Sequence, residues 1–315
     1  MYAYTPARRA FMTAVTAVFG TAALLLFTAP AHAVEVAPAT PAINTIERIT
    51  ATNTIRIGHR EAAIPFSYVD PATKKPIGYA IDLCSKVVAA AKKEFKLPNL
   101  KVEYVQLAAA DRIPALLDGR IDLECGNTTN TKERREKVAF TVPHFLAGAK
   151  MLAKKRSGLD NLNELEGKRV AVAKGTTAEN LIKGYNATAR TPIQAVQVKD
   201  NAEAFASVNQ DKADAWMTDD ILLLSYKANS DAPEDWMVNA RMLSVEPLAI
   251  AMRKDAAWQK FVDTTVTRVI IDGEIGPIYN KWFMQPTPPK NVTLNIPMSQ
   301  VLRASFLAPS PDTQF

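Results

Sequence analysis

The sequence predicts an α/β protein of two lobes, each a mostly parallel sheet flanked by helices. Strand-length apolar runs alternate with helix-period segments in the order β-α-β-α-β between Thr54 and Cys125, and the same order returns between Lys168 and Asp219. Such alternation builds a parallel sheet with helices on both faces. Length agrees: of 315 residues, roughly 280 remain after a cleavable leader, more than one typical domain.

Residues 1–33 are expected to be a secretory signal peptide. Arg8 and Arg9 form a positive start, Phe11 to Ala29 is apolar, and Ala31-His32-Ala33 is a small-residue cleavage site. Arg8-Arg9-Ala10-Phe11-Met12 also has a faint twin-arginine character, so the export route stays open between the two. Residues 34–50 are expected to be a leader, with Val34 to Pro41 rich in Ala, Pro and Val.

Thr54-Ile55-Arg56-Ile57-Gly58 starts the first strand, and His59 to Phe66 is a loop carrying Arg60 and Pro65. A helix follows, with Ile81, Cys84, Val87, Val88 and Ala91 on one face. Val102 to Val105 is the second strand. Asp111 can cap a short helix with Pro114 in its first turn and Gly119 at its end. Ile121 to Cys125 is the third strand.

Ligands of such sheets bind beyond the carboxyl ends of the strands. Arg60, Ala109, Arg112 and the segment Gly126 to Arg134 all follow strand ends and converge on one rim. Small hydroxyl and amide residues there present backbone N–H groups, and an arginine can fork onto a carboxylate.

In the second half, Lys168 to Ala173, Ala195 to Val198 and Ala213 to Met217 are strands, and Asn201 to Val208 is a helix. Gly175-Thr176-Thr177 opens another helix, whose N-terminus favours anions, although both threonines also suit simple caps. Either Asp219 or Asp220 suits the cap of the helix from Ile221. Leu243 to Met252 is apolar and extended and can return the chain to the first lobe. The expected domains are 51–145 with 246–315 as lobe 1 and 146–245 as lobe 2. The crossings fall near 144–150 and 242–248. The tail after Gln285 is Pro-rich and expected along the surface.

The net charge of +6 drops to +4 once Arg8 and Arg9 are removed. The remaining basic residues are interleaved with acids rather than gathered in a stripe, which argues against a nucleic-acid partner. Cys84 and Cys125, with His59 and His144, lack zinc-site spacing, so no metal or other cofactor is expected. In an oxidising compartment the two cysteines can form a disulfide, the alternative being two buried thiols.

The ordered set Gly58-His59-Arg60-Glu61, Pro65-Phe66-Ser67-Tyr68, Asp111-Arg112-Ile113-Pro114, Glu124 to Asn130, Glu133-Arg134, Gly175-Thr176-Thr177, Asp219-Asp220, Lys281-Trp282-Phe283 and Pro288 to Asn291 resembles one family. It is that of the periplasmic solute-binding proteins, family 3, of ABC amino-acid importers, specifically the glutamate/aspartate-binding group. The resemblance runs over residues 50–307 and implies the type II periplasmic-binding-protein fold with two hinge crossings.

It further implies a periplasmic monomer that closes on an acidic amino acid and delivers it to ABC permease subunits. Arg134 would clamp the α-carboxylate with Thr129 and the backbone at Asn127, helped by Thr176, Thr177 and nearby N–H groups. Asp219 would pair with the α-ammonium, and Arg60 and Arg112 would face the side-chain carboxylate, the end to which Asn201 belongs. Three departures stand out: Ala109 and Asn127 where the family has serine, and Asn201 where it has histidine. The resemblance implies no catalytic residue. The alternative is a secreted enzyme on the same scaffold, similar to cyclohexadienyl dehydratase, for which only Glu61 and Glu124 offer a general acid.

Overall fold

The structure is a computed structural model that describes residues 44–311. The signal peptide expected at 1–33 and the leader up to residue 43 lie outside the described residues. The described end of the 34–50 leader is already helical. The Asn44 side chain accepts the Ile46 and Glu47 N–H groups and starts helix α1 (Thr45–Thr52), which buries Ile49.

Strand β1 (Thr54–His59) then enters the first sheet. The loop expected after it is instead a small antiparallel sheet of β2 (Ala62–Ala63), β3 (Ser67–Val69) and β4 (Pro76–Ile77). Strands of two or three residues are too short to show alternation in sequence. Helix α2 (Tyr79–Glu94), β5 (Lys101–Gln106), α3 (Arg112–Leu117), β6 (Leu123–Glu124), α4 (Lys132–Lys137) and β7 (Ala139–Phe140) follow. β1 lies between β5 and β6, parallel to both. Of the strand expected over Ile121 to Cys125, only Leu123 and Glu124 pair as β6. Cys84 on α2 is disulfide-bonded to Cys125 at the end of β6.

The second sheet begins with β8 (Phe145–Lys154), in which all residues but Leu146, Lys150 and Lys154 are buried. It continues with β9 (Arg169–Ala173), α5 (Thr177–Asn186), β10 (Gln194–Val198), α6 (Asn201–Asn209), β11 (Ala215–Asp219), α7 (Asp220–Ala228), β12 (Trp236–Val238) and β13 (Ser244–Leu248). Its order is β10-β9-β11-β8-β12, with β13 also on β8. β14 (Ala251–Met252) rejoins the first sheet between β6 and β7. Helices α8 (Ala256–Ile271), α9 (Ile275–Phe283) and α10 (Gln300–Leu307) close the chain. The tail does more than line the surface, because Leu302 of α10 is buried.

The chain leaves the first sheet between β7 and β8 and returns between β13 and β14. These crossings touch: Thr141 N–H donates to Ile250 O and His144 N–H to Leu248 O. Glu246 to Leu248, grouped with lobe 1 from the sequence, pair with β8 of the second sheet. Their register is set by the strand they lie against rather than by the apolar run they continue into.

Candidate functional site

Three arginines reach one rim of the first sheet, each from the segment that follows a strand. Arg60 follows β1. Its backbone N–H donates to Ser67 Oγ at 2.9 Å, its Nε to Leu107 O at 3.2 Å and its Nη1 to Asn127 Oδ1 at 3.3 Å. Arg112 opens α3, where its Nε donates to Ala109 O at 2.8 Å and its Nη1 to Thr128 Oγ1 at 2.6 Å. The Asp111 side chain does not cap this helix.

Arg134 stands in α4, which Thr131 caps by accepting the Arg134 N–H at 3.2 Å. Its guanidinium donates from Nη1 to Thr129 O at 2.9 Å and from Nη2 to Gly175 O at 3.0 Å. The second contact reaches the other sheet. Arg112 Nη2 approaches the same Gly175 oxygen at 3.5 Å. Gly175 is required there: its φ is +78°, and a Cβ would lie 2.9 Å from Ala110 Cα.

Arg60 and Arg112 are only 2% and 3% exposed, and Arg134 is half-buried. Burial, then the charge of Arg112, lowers the Arg60 and Arg134 guanidinium pKa values to about 10. Burial also lowers that of Arg112, while Glu124 and Asp219 oppose the shift. Three buried carboxylates, Glu124, Asp219 and Glu246, lie among these cations. Among the described residues, no ion pair within 4.0 Å joins any of the three to Arg60, Arg112 or Arg134. Buried charges held apart in this way leave hydrogen-bonding capacity for a small charged guest.

Asp219 ends β11 and faces the first sheet. Its Oδ2 accepts the Asn127 amide at 2.9 Å. Burial, and then the charge of Glu246, pushes its pKa up to about 7. Asp219 stands at the cap position of α7 without capping it. Asp220 takes the local role instead, its Oδ1 accepting the Gly148 and Ile221 N–H groups at 3.1 and 2.8 Å.

Other residues expected at the site are spent on structure. The Thr176 hydroxyl caps α5, accepting the Glu179 N–H at 3.3 Å and donating to Ala173 O at 2.7 Å. The Gly175 N–H is taken by Glu179 Oε2 at 2.8 Å. Asn201 begins α6, and its amide donates to Ala62 O at 3.1 Å. Tyr226 OH donates to the same oxygen at 2.9 Å. Thr177 is half-buried, and Thr129 carries the carbonyl that receives Arg134.

Two cavities open beside these residues. One, of about 1090 Å³, is lined by Arg134, Gly175, Thr177 and Glu246, and one of about 230 Å³ by Thr129, Thr177 and Glu246. Arg60, Arg112, Asn127, Asn201 and Asp219 lie deeper and line neither. A separate cavity of about 970 Å³, lined by Lys154, Phe205, Trp236 and Lys290, shares no residue with them. Sequence reasoning missed Thr128, Tyr226 and Glu246. The available signal for Glu246 was an acid standing alone in an extended apolar run. No group of three or more His, Cys, Asp or Glu among the described residues could hold a metal ion, and no described helix is long and apolar enough to cross a membrane.

Residues 55–285 match the model of the bacterial extracellular solute-binding proteins, family 3. The chain belongs to that family. It is 42% identical over 267 residues to an L-glutamate/L-aspartate-binding protein of Pseudomonas aeruginosa, covering 84% of this chain and 88% of that one. It is 35% identical over 289 residues to a glutamate/aspartate import solute-binding protein of Escherichia coli, covering 91% and 95%. Among solved structures it is similar to an ancestral amino acid-binding protein described as a precursor of cyclohexadienyl dehydratase. That likeness has a TM-score of 0.64 and 30% identity over 76% of this chain and 99% of the other. The family match agrees with the two-lobed α/β fold its sequence predicts, and these curated relatives are binding proteins rather than enzymes. The alternative of a secreted dehydratase is left with this more distant structural likeness.

Proposed function

We propose that this family 3 solute-binding protein captures an acidic amino acid, glutamate, aspartate or a close analogue, in the periplasm and delivers it to an ABC permease. The observation that carries the ligand class is a trio at one rim, buried Arg60 and Arg112 with half-buried Arg134, none in ion-pair contact with a carboxylate among the described residues. Two carboxylates and one ammonium on a single small ligand match this set. One carboxylate meets the Arg134 fork, the other meets Arg60 and Arg112, and the ammonium meets Asp219.

In this reading Arg134 works with Thr129 and the Asn127 backbone. Thr176 and Thr177 contribute through the backbone end of α5, since the Thr176 hydroxyl is already engaged. Asn201 sets the side-chain end from its position against Ala62. Closure uses the paired crossings beside His144 and Leu248 as a hinge. The names of the glutamate/aspartate-binding relatives point to the same ligand class. The protein is read as a monomer released by cleavage of its signal peptide, the Cys84–Cys125 bond suiting that compartment.

Thermal unfolding with a panel of amino acids tests the proposal. A ligand present at about 1000 times its Kd adds roughly 4 kcal/mol to stability. Glutamate or aspartate is expected to raise the melting temperature more than glutamine or arginine. No shift with any dicarboxylic amino acid would overturn the acidic-ligand assignment.

A further inference from the structure

Glu246 is a cleft acid to which the roles above assign nothing. It lies on β13 opposite Ala147 of β8, while Asp219 on β11 lies opposite Ala149 on the other edge of the same strand. Residues directly opposite in antiparallel strands share a face, as do residues two apart on one strand. Asp219 and Glu246 therefore project from the same face of the second sheet. The strand between them contributes only the methyl groups of Ala147 and Ala149.

Glu246 is 3% exposed. One carboxylate oxygen accepts the Ser244 hydroxyl, and the other has no hydrogen-bond partner. The side chain borders two cavities, one shared with Arg134 and the other with Thr129, while Asp219 lies deeper and lines neither. A buried carboxylate oxygen without a donor is costly. Were its purpose only to balance Arg134, contact would be expected, as Arg169 and Asp214 make at 2.7 Å elsewhere in the chain. Arg134 instead spends its two terminal nitrogens on Thr129 O and Gly175 O.

We propose that Glu246 is a second acceptor for the ammonium group of an α-amino acid, working with Asp219 from the same face of the sheet. This inference rests on the proposed function. An ammonium has three donors, and two carboxylates answer it better than one. The same pair repels a dicarboxylate that lacks nitrogen, so Glu246 sets the preference for amino acids over plain diacids.

The test is calorimetric titration of the mature protein with L-glutamate and L-aspartate, and with glutarate by competition. It compares wild type, Glu246→Gln and Glu246→Asp. If wild type binds neither amino acid, the proposed function fails and this inference falls with it. If wild type binds them, Glu246→Gln is expected to weaken amino-acid binding at least tenfold and to shrink the glutamate-to-glutarate preference by a similar factor. A misfolded cleft or a displaced Arg134 weakens both ligands alike, so the ratio isolates the ammonium contact. A ratio within twofold of wild type overturns the inference, whatever happens to the separate affinities. Should Glu246→Gln fail to fold, Glu246→Asp is read by the same ratio. It keeps the charge one methylene further back, and an unchanged preference there equally overturns the assignment.

Discussion

The Asn127 side-chain amide donates to Asp219 Oδ2 at 2.9 Å, joining the segment after β6 to the end of β11. The same amide's oxygen accepts from Arg60 at 3.3 Å. Asn127 is therefore a bridge between the two sheets at the position where the family resemblance implies serine, whose shorter side chain cannot reach both partners. A hydrogen bond to a charged group contributes about 1.5–3 kcal/mol. Removing it with Asn127→Ala is expected to shift the ligand-free protein towards an open arrangement. Small-angle scattering should show a larger radius of gyration for the variant without ligand and none of that difference with saturating ligand. Equal radii in both conditions would show that the bridge does not hold the sheets together.

The three arginines should separate by ligand. Arg134 joins Thr129 O to Gly175 O, and in the proposed function it takes the α-carboxylate common to all amino acids. Truncating one partner of a buried charge pair costs about 2–5 kcal/mol. Arg134→Ala should therefore abolish measurable binding of glutamate and glutamine alike. Arg60→Ala and Arg112→Ala should weaken glutamate by roughly 10- to 100-fold, the equivalent of about 1.4–2.8 kcal/mol, and glutamine much less. Titration of both ligands against the three variants checks this, and the same pattern for all three would refute the division of roles.

Two buried groups should give the stability opposing pH slopes. Burial and Glu246 push Asp219 up to about 7, so between about pH 4 and 7 the folded state keeps a proton that the unfolded chain has lost. That contribution is complete at low pH and disappears as pH rises through about 7. Burial pushes His144 down to about 3, so the unfolded chain binds a proton that the folded state refuses. Its contribution is complete above about pH 6.5 and is lost as pH falls towards 3. The slopes partly cancel in the wild type. The readout is therefore the difference in melting temperature between wild type and Asp219→Asn, which should fall from pH 4 to pH 8. A flat difference would mean that Asp219 is ionised across the range.

The placement of the three arginines on one rim was legible in the sequence, because each follows a strand end within one segment. Arg60 after β1, Arg112 after β5 and Arg134 after β6 sit on one rim because parallel strands end together. Contacts between the sheets were not legible. The Ala62 carbonyl receives both Asn201 and Tyr226, and Gly175 approaches Ala110. Neither depends on local pattern; each follows from how near the two sheets lie. Glu246 was hidden for a related reason, since β13 takes its register from β8 and only that pairing turns the acid towards the cleft. Thr176 reads the same in sequence as a cap or as a ligand contact, and its hydroxyl is a cap.

The disulfide ties the start of the Gly126 to Arg134 segment to the core beneath it. Cys84 lies on α2 and Cys125 immediately precedes Gly126, and both are fully buried. Crosslinking residues 41 apart restricts the unfolded chain by about 4 kcal/mol in the loop-entropy model. Replacing both cysteines by alanine leaves no buried polar group behind, so the double variant should lose about 3–4 kcal/mol in urea unfolding with little change in ligand affinity. Ligand at about 1000 times its Kd adds roughly 4 kcal/mol to the folded state only and should restore most of the loss. If affinity fell along with stability, the bond would be holding the Gly126 to Arg134 segment in its binding geometry. A stability loss at unchanged affinity assigns it to the unfolded chain.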